Sequence, residues 1–293
     1  MESKPSLKTY NYGRMRDGSS PFQVSFAPIP KSLRRLVDVI LTIREGCDAP
    51  AYSRAPEGVA HLVCHVTRWR SGPVGRDVGA AVLFAAGPHV NRIPMPLGCE
   101  TLVAQLRPGS LKAILGVSAE YLEGQSVPAS TLLGAAGDEA LERIALASSA
   151  SARLAAVMGF IERRAEQAEQ RDDLFALTAA AWMRSRPDTL SLPALTARCG
   201  YSDRQIRRKF QESLGLSPKE YARTLRLRSV LLRGTARANW AEIAASAGYY
   251  DQAHLVDDFK TALGVPPGAF FKRPDLSSLS TMGIVQDDDP VIP

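Results

Sequence analysis

Two stretches, Ser191–Phe210 and Trp240–Phe259, carry one residue pattern twice, and this repeat restricts the fold more tightly than any other feature of the chain. In the first, Leu195, Ala197 and Cys199 lead into Gly200, and Ser202 then opens Asp203-Arg204-Gln205-Ile206-Arg207-Arg208-Lys209-Phe210. Glycine accepts positive φ without a Cβ clash, so Gly200 suits a turn between two helices. The Ser202 hydroxyl can accept an orphan backbone N–H of the second helix, which predicts an N-cap. Ile206, Phe210 and Leu214 recur at i, i+4 and i+8 and predict one inward face. Arg204, Arg207, Arg208 and Gln211 share a different face. This is the anatomy of a helix-turn-helix whose second helix, predicted over 203–213, presents cations to a major groove.

In the second stretch Ile243, Ala245, Ala247 and Gly248 repeat Leu195, Ala197, Cys199 and Gly200 at a spacing of 48. From Asp251 the spacing is 49, so that Asp251, Leu255, Phe259 and Leu263 repeat Ser202, Ile206, Phe210 and Leu214. The one-residue slip falls in the turn, where insertions cost little. A second reading helix is predicted over 252–262. Two copies make one small all-α domain with two reading heads, since a solenoid needs three or more units. Between them Ser217-Pro218 opens a long helix, with proline in its first turn. It runs through Tyr221, Leu225, Leu227 and Leu231 to Gly234 as a linking strut. Ahead of the first unit, Asp172-Asp173 suits a helix start. Leu174, Leu177, Ala181 and Trp182 are predicted to face inward there, and Pro187 and Asp188 to close that helix.

The location of the charge matters more than its total of +6. Eleven Lys/Arg between Arg198 and Arg237 face only Asp203, Glu212 and Glu220, whereas residues 238–275 hold three cations against five acids. A basic block of this density is the electrostatic footprint of a polyanion partner. No apolar run approaches the roughly 20 residues that a membrane span needs. Met1-Glu2-Ser3-Lys4-Pro5 lacks the order of a signal peptide, and a cytoplasmic location is expected.

The 293 residues allow about two domains. Residues 1–30, punctuated by Pro5, Pro21, Pro28 and Pro30, read as an arm that could hold extended pieces. Leu36–Arg44, Val59–Trp69, Val78–Ala86 and Thr101–Arg107 are β-branched or apolar runs separated by Gly/Pro breaks, which predicts a small β-barrel or sandwich. After Arg107-Pro108-Gly109 helices are expected at Ser110–Leu115, at Asp138–Ala147 with Asp138 as cap, and at Ser151–Glu166. In the last, Leu154, Val157, Met158 and Ile161 form one buried stripe that could pack within its own domain or against a second copy. The fold class is therefore α+β. A sensor- or dimerisation-like domain spans 31–168, the helical domain 172–273, and a disordered tail 276–293.

Residues 172–273 resemble the tandem helix-turn-helix domain of the AraC/XylS family of transcriptional regulators. The resemblance rests on Ala197-Arg198-Cys199-Gly200-Tyr201-Ser202, Arg207–Phe210, Leu214-Gly215-Leu216-Ser217-Pro218-Lys219-Glu220-Tyr221, Ala241-Glu242-Ile243-Ala244 and Gly248-Tyr249-Tyr250-Asp251-Gln252-Ala253-His254-Leu255. More weakly, Pro56-Glu57-Gly58 and Arg107-Pro108-Gly109 resemble the sensor-like domain of a subgroup. The resemblance implies a regulator of double-stranded promoter DNA, most often an activator working with RNA polymerase. Its N-terminal domain would receive a small-molecule effector or pair protomers as a homodimer. Base-reading positions would fall on Arg204, Arg207 and Arg208, then on Gln252, Ala253, Val256 and Asp257. Gln205 and His254 join the candidate set, with Lys209, Lys219, Arg223 and Arg226 placed for phosphates. The second unit departs from the family habit: Asp257 and Asp258 stand where a cation is common, so this unit is expected to add less affinity.

The smaller signals point to no catalytic residue, metal or cofactor. Cys47, Cys64, Cys99 and Cys199 lack CxxC spacing. His61 and His65 share one strand face, and two histidines do not complete a tetrahedral site. No Ser/His/Asp order, P-loop or dinucleotide fingerprint occurs, so no enzyme is expected. The alternative is a ligand-binding or enzymatic N-terminal domain with a degenerate helix-turn-helix used for protein contacts.

Overall fold

The computed structural model describes residues 8–12, 22–45, 52–54, 58–67, 78–84, 91–93, 99–122, 126–167, 174–185 and 192–272. Among the described residues nine strands precede most of the helices: β1 (Lys8–Tyr12), β2 (Phe22–Ala27), β3 (Val37–Glu45), β4 (Tyr52–Arg54), β5 (His61–Thr67), β6 (Val78–Phe84), β7 (Asn91–Ile93), β8 (Cys99–Leu106) and β9 (Ser126–Pro128). Seven of them form an antiparallel sheet in the order β1-β2-β3-β8-β5-β6-β9, while β4 and β7 pair separately. The class is α+β as expected, but the sheet is open: among the described residues β1 and β9 are its edges and do not pair with each other. Residues 8–12 and 22–27, assigned to an arm by their prolines and polarity, are strands of this sheet, and Val24 and Ala27 are buried in it. The tail from 276 onward lies outside the described residues.

Successive strand side chains alternate between faces. Leu62, Cys64 and Val66 of β5, Leu102 and Ala104 of β8 and Ile40 of β3 line the face covered by helices. Those helices are α1 (Ser110–Leu115), α2 (Ala129–Leu133), α3 (Ala135–Leu146) and α4 (Ala150–Gln167). The α4 stripe Leu154, Val157, Met158 and Ile161 is buried in this core, so the chain uses it within its own fold. Asp138 does not cap α3. It lies in the first turn, and Gly134 holds the N-cap position.

An ion pair fastens α4 to the sheet. Arg153 Nε donates to Glu100 Oε2 at 2.8 Å and its Nη1 to the Ala147 carbonyl at 3.1 Å, while Arg44 Nε donates to Glu100 Oε1 at 3.1 Å. The Glu100 and Arg153 side chains are only 8% and 3% exposed.

The C-terminal helices are α5 (Leu174–Ser185), α6 (Leu192–Cys199), α7 (Asp203–Leu214), α8 (Pro218–Arg233), α9 (Trp240–Ser246), α10 (Gln252–Leu263) and α11 (Pro267–Phe270). Of the face predicted for α5, Trp182 is half-buried against the core, while the side chains of Leu174 and Leu177 lie outside the described ones. Among the described residues of α5, Ala176, Ala179, Ala180 and Met183 are buried and Ala181, predicted to face inward, is exposed. Ala179 and Ala180 share the core with Ile206 and Phe210 of α7, and a search for large apolar residues overlooks them. Among the described residues, no helix is long and apolar enough to cross a membrane.

The helical part is docked on the sheet-bearing part. Tyr221 of α8 is fully buried, and its ring lies 2.8 Å from where a Cβ on Gly58 would stand, so Gly58 (φ +67°) permits the approach. Nearby, Asp38 accepts from Arg184 of α5 at 2.9 Å and pairs with Arg107 at 3.0 Å. The Ser118 hydroxyl donates to the Glu212 carbonyl at 2.8 Å.

Candidate nucleic-acid interface

The turn chemistry of the first unit is realised in full. Gly200 has φ +68°. Ser202 Oγ accepts the Gln205 N–H, and Gln205 Oε1 accepts the Ser202 N–H at 2.9 Å, a reciprocal capping box. Thr196 of α6 also donates to Asp203 Oδ1 at 2.9 Å, tying the first helix of the motif to the second. Ile206, Phe210 and Leu214 are buried against α5 and α8, as their period predicts.

This leaves the opposite side of α7 to solvent. Arg204, Arg207 and Arg208 are all exposed, and among the described residues Arg204 and Arg207 make no ion pair. Arg208 meets Glu212 at 3.6 Å in an exposed i,i+4 pair. Such a pair contributes only about 0.3–0.5 kcal/mol, so a stronger anion displaces it readily. Two neighbours are otherwise engaged. Gln205 commits its carbonyl oxygen to the capping box, and the Lys209 ammonium sits 5.5 Å from the Phe175 ring and 5.3 Å from the Tyr201 ring. Lys209 thus helps to fasten α7 to α5. Lys219, in the first turn of α8, is exposed.

The second unit repeats the scaffold with other chemistry. Gly248 has φ +79°, and Asp251 caps α10 by accepting the His254 N–H at 2.7 Å. Leu255 and Phe259 are buried with α8, α9 and α11. Gln252, Ala253, His254 and Asp257 are exposed, and Val256 is half-buried against the core. The His254 ring stands edge-on to Tyr249 with centroids 5.2 Å apart, so part of its surface goes to packing. Asp258 differs from Asp257. Arg223 Nε donates to its Oδ1 and the Tyr249 hydroxyl to its Oδ2, the latter at 2.9 Å. Arg223, assigned to phosphate by its position, is therefore bound inside the molecule. Arg226 stands 5.4 Å over the Tyr249 ring. These engagements need the fold to be seen, because Arg223 and Asp258 are 35 residues apart.

His61, His65 and Cys64 are buried in the sheet, and the Cys99 side chain lies outside the described ones. His65 Nδ1 lies 2.9 Å from Thr101 Oγ1, and burial pushes its pKa below the usual range. Burial pushes the Cys64 thiol up to about 12, which keeps it protonated and unreactive at neutral pH. Cys47 lies outside the described residues. Among the described residues no group of three His, Cys, Asp or Glu could hold a metal ion.

Comparison with known proteins bears on the helical part. Residues 195–273 match the family model of a helix-turn-helix domain. No curated protein matches the chain. Among solved structures, the DNA-binding domain of AdpA, a global transcriptional factor in complex with a target DNA, is similar at 24% identity. That match covers 32% of this chain and 87% of that one, with a TM-score of 0.30. ToxT from Vibrio cholerae O395 is similar at 12% identity over 87% of this chain and 98% of that one, with a TM-score of 0.41. The C-terminal domain of AraT, a response regulator from Geobacillus stearothermophilus, is similar at 21% identity over 40% and 93%, with a TM-score of 0.31.

Proposed function

We propose that this chain is a sequence-specific DNA-binding transcription regulator that sets α7 and α10 into successive major-groove segments of one promoter site. The observation that carries the reading is the exposed face of Arg204, Arg207 and Arg208 on the second helix of a matched helix-turn-helix domain. Each arginine can present two donors to guanine O6 and N7, worth about 1–3 kcal/mol of discrimination. Lys219 suits a phosphate, which contributes affinity without sequence information. In the second unit Gln252 suits adenine and Ala253 and Val256 suit a thymine methyl. Asp257 finds a cytosine amino group or repels the backbone, so this head adds less affinity than the first. In this reading 172–273 is the DNA-binding domain and 31–168 the part that receives an effector or a second protomer. The bound chain acts as an activator through RNA polymerase.

Salt dependence separates this reading from one in which the domain serves protein contacts. Each neutralised phosphate contributes about −0.9 to the slope of log K against log salt, so binding to duplex through phosphate contacts falls clearly as salt rises. Titration of a fluorescent operator duplex at several salt concentrations measures it. A slope near zero favours the protein-contact reading.

A further inference from the structure

We propose that Asp258 is the brace that holds the two reading helices at one separation, and that it thereby sets the half-site spacing the chain accepts. The inference rests on the DNA-binding reading above. Its starting point is that the helical part has two apolar cores with no residue in common among those described. Helix α8 runs through both. Tyr221, Ala222 and Leu225 belong to the first core, and Leu227, Val230 and Leu231 to the second. A helix joining two separately packed bodies can bend between them, and each reading head would follow its own half.

Asp258 crosses that boundary. It sits on α10, in the second unit, yet it accepts from Arg223, which lies on the first-unit half of α8. Its other oxygen accepts from the Tyr249 hydroxyl at 2.9 Å, in the turn that leads into α10. Arg226 closes the cluster by stacking over the Tyr249 ring at 5.4 Å. The Asp258 side chain is 10% exposed and that of Arg223 27%, so the pair is shielded from salt more than a surface pair is. Four side chains from α8, the turn and α10 thus fix the angle at which the second head leaves the strut. The pairing also accounts for an acid beside a proposed DNA face: its charge is spent on Arg223, leaving Asp257 as the carboxylate that faces solvent.

The test uses the full-length chain and duplexes in which the distance between the two half-sites varies by single base pairs. A duplex carrying the first half-site alone is the control. Asp258→Asn weakens the charge-assisted pairing, and Tyr249→Phe removes one hydrogen bond without changing charge. Both variants should bind the first half-site alone as the wild type does. On the optimally spaced site Asp258→Asn should lose about tenfold, the equivalent of one charged hydrogen bond, and both should accept neighbouring spacings more evenly. Tighter binding of Asp258→Asn with an unchanged spacing optimum would overturn the proposal, because it would make Asp258 a source of repulsion. Equal loss on the half-site control would overturn it too, as general destabilisation. Failure of the wild type to prefer any duplex would instead refute the DNA-binding reading itself.

Discussion

Changing Arg204, Arg207 and Arg208 together to alanine is expected to abolish the choice of one operator over random duplex while the chain stays folded. The three guanidinium groups lie on the exposed face of α7 and contribute nothing to the buried face of Ile206, Phe210 and Leu214. The capping box between Ser202 and Gln205 and the bond from Thr196 to Asp203 also survive the change. Alanine is a good helix former, so α7 should persist, and a thermal melt and circular dichroism would verify it. Three lost base contacts at about 1–3 kcal/mol each lower the specificity ratio by roughly a hundredfold or more. The loss in plain duplex affinity should be smaller, because Lys219 and the second unit remain. Competition of labelled operator against random duplex reads the ratio directly. A folded triple variant that still selects the operator would remove these residues from the recognition surface.

The second large effect is on stability. Glu100 and Arg153 lie between the sheet and α4, and the carboxylate accepts from both Arg153 and Arg44. Replacing either partner alone, as in Glu100→Leu or Arg153→Met, leaves a charge in a buried site and should cost about 3–5 kcal/mol. Replacing both should cost much less, because two apolar side chains can pack in the vacated space and Arg44, with its side chain 49% exposed, can turn to water. Denaturant unfolding of the two single variants and the double variant measures this. The expected pattern is a double variant more stable than either single one. Additive losses would show that packing around α4, and not charge compensation, dominates the site.

Much of the helical part was legible because its signals are local. Capping residues, turn glycines and a period of four determine where α7 and α10 begin, which faces they bury and where Arg204, Arg207 and Arg208 stand. The strands at Val37–Glu45, His61–Thr67 and Val78–Phe84 were legible for a similar reason, since β-branched runs bounded by breakers need no tertiary information. What escaped the sequence depends on partners far along the chain. Lys8–Tyr12 and Phe22–Ala27 become strands by pairing outward from β3, although their prolines and polar neighbours resemble a free arm. Ala179, Ala180 and Met183 of α5 join the core through partners on α7 and α8 that lie far along the chain. At the candidate interface, position alone made Lys209 and Arg223 phosphate ligands. The fold gives them to aromatic rings and to Asp258.

The central claim is that a cationic helix face selects a particular duplex, and selection from a random duplex library by the full-length wild-type chain tests it most directly. Successive rounds should enrich one motif with two elements whose centres lie about 34 Å apart, one turn of B-DNA. Guanines should dominate the element read by Arg204, Arg207 and Arg208, with weaker constraint in the other. Recovery of a pool with no shared motif after repeated rounds would contradict the account.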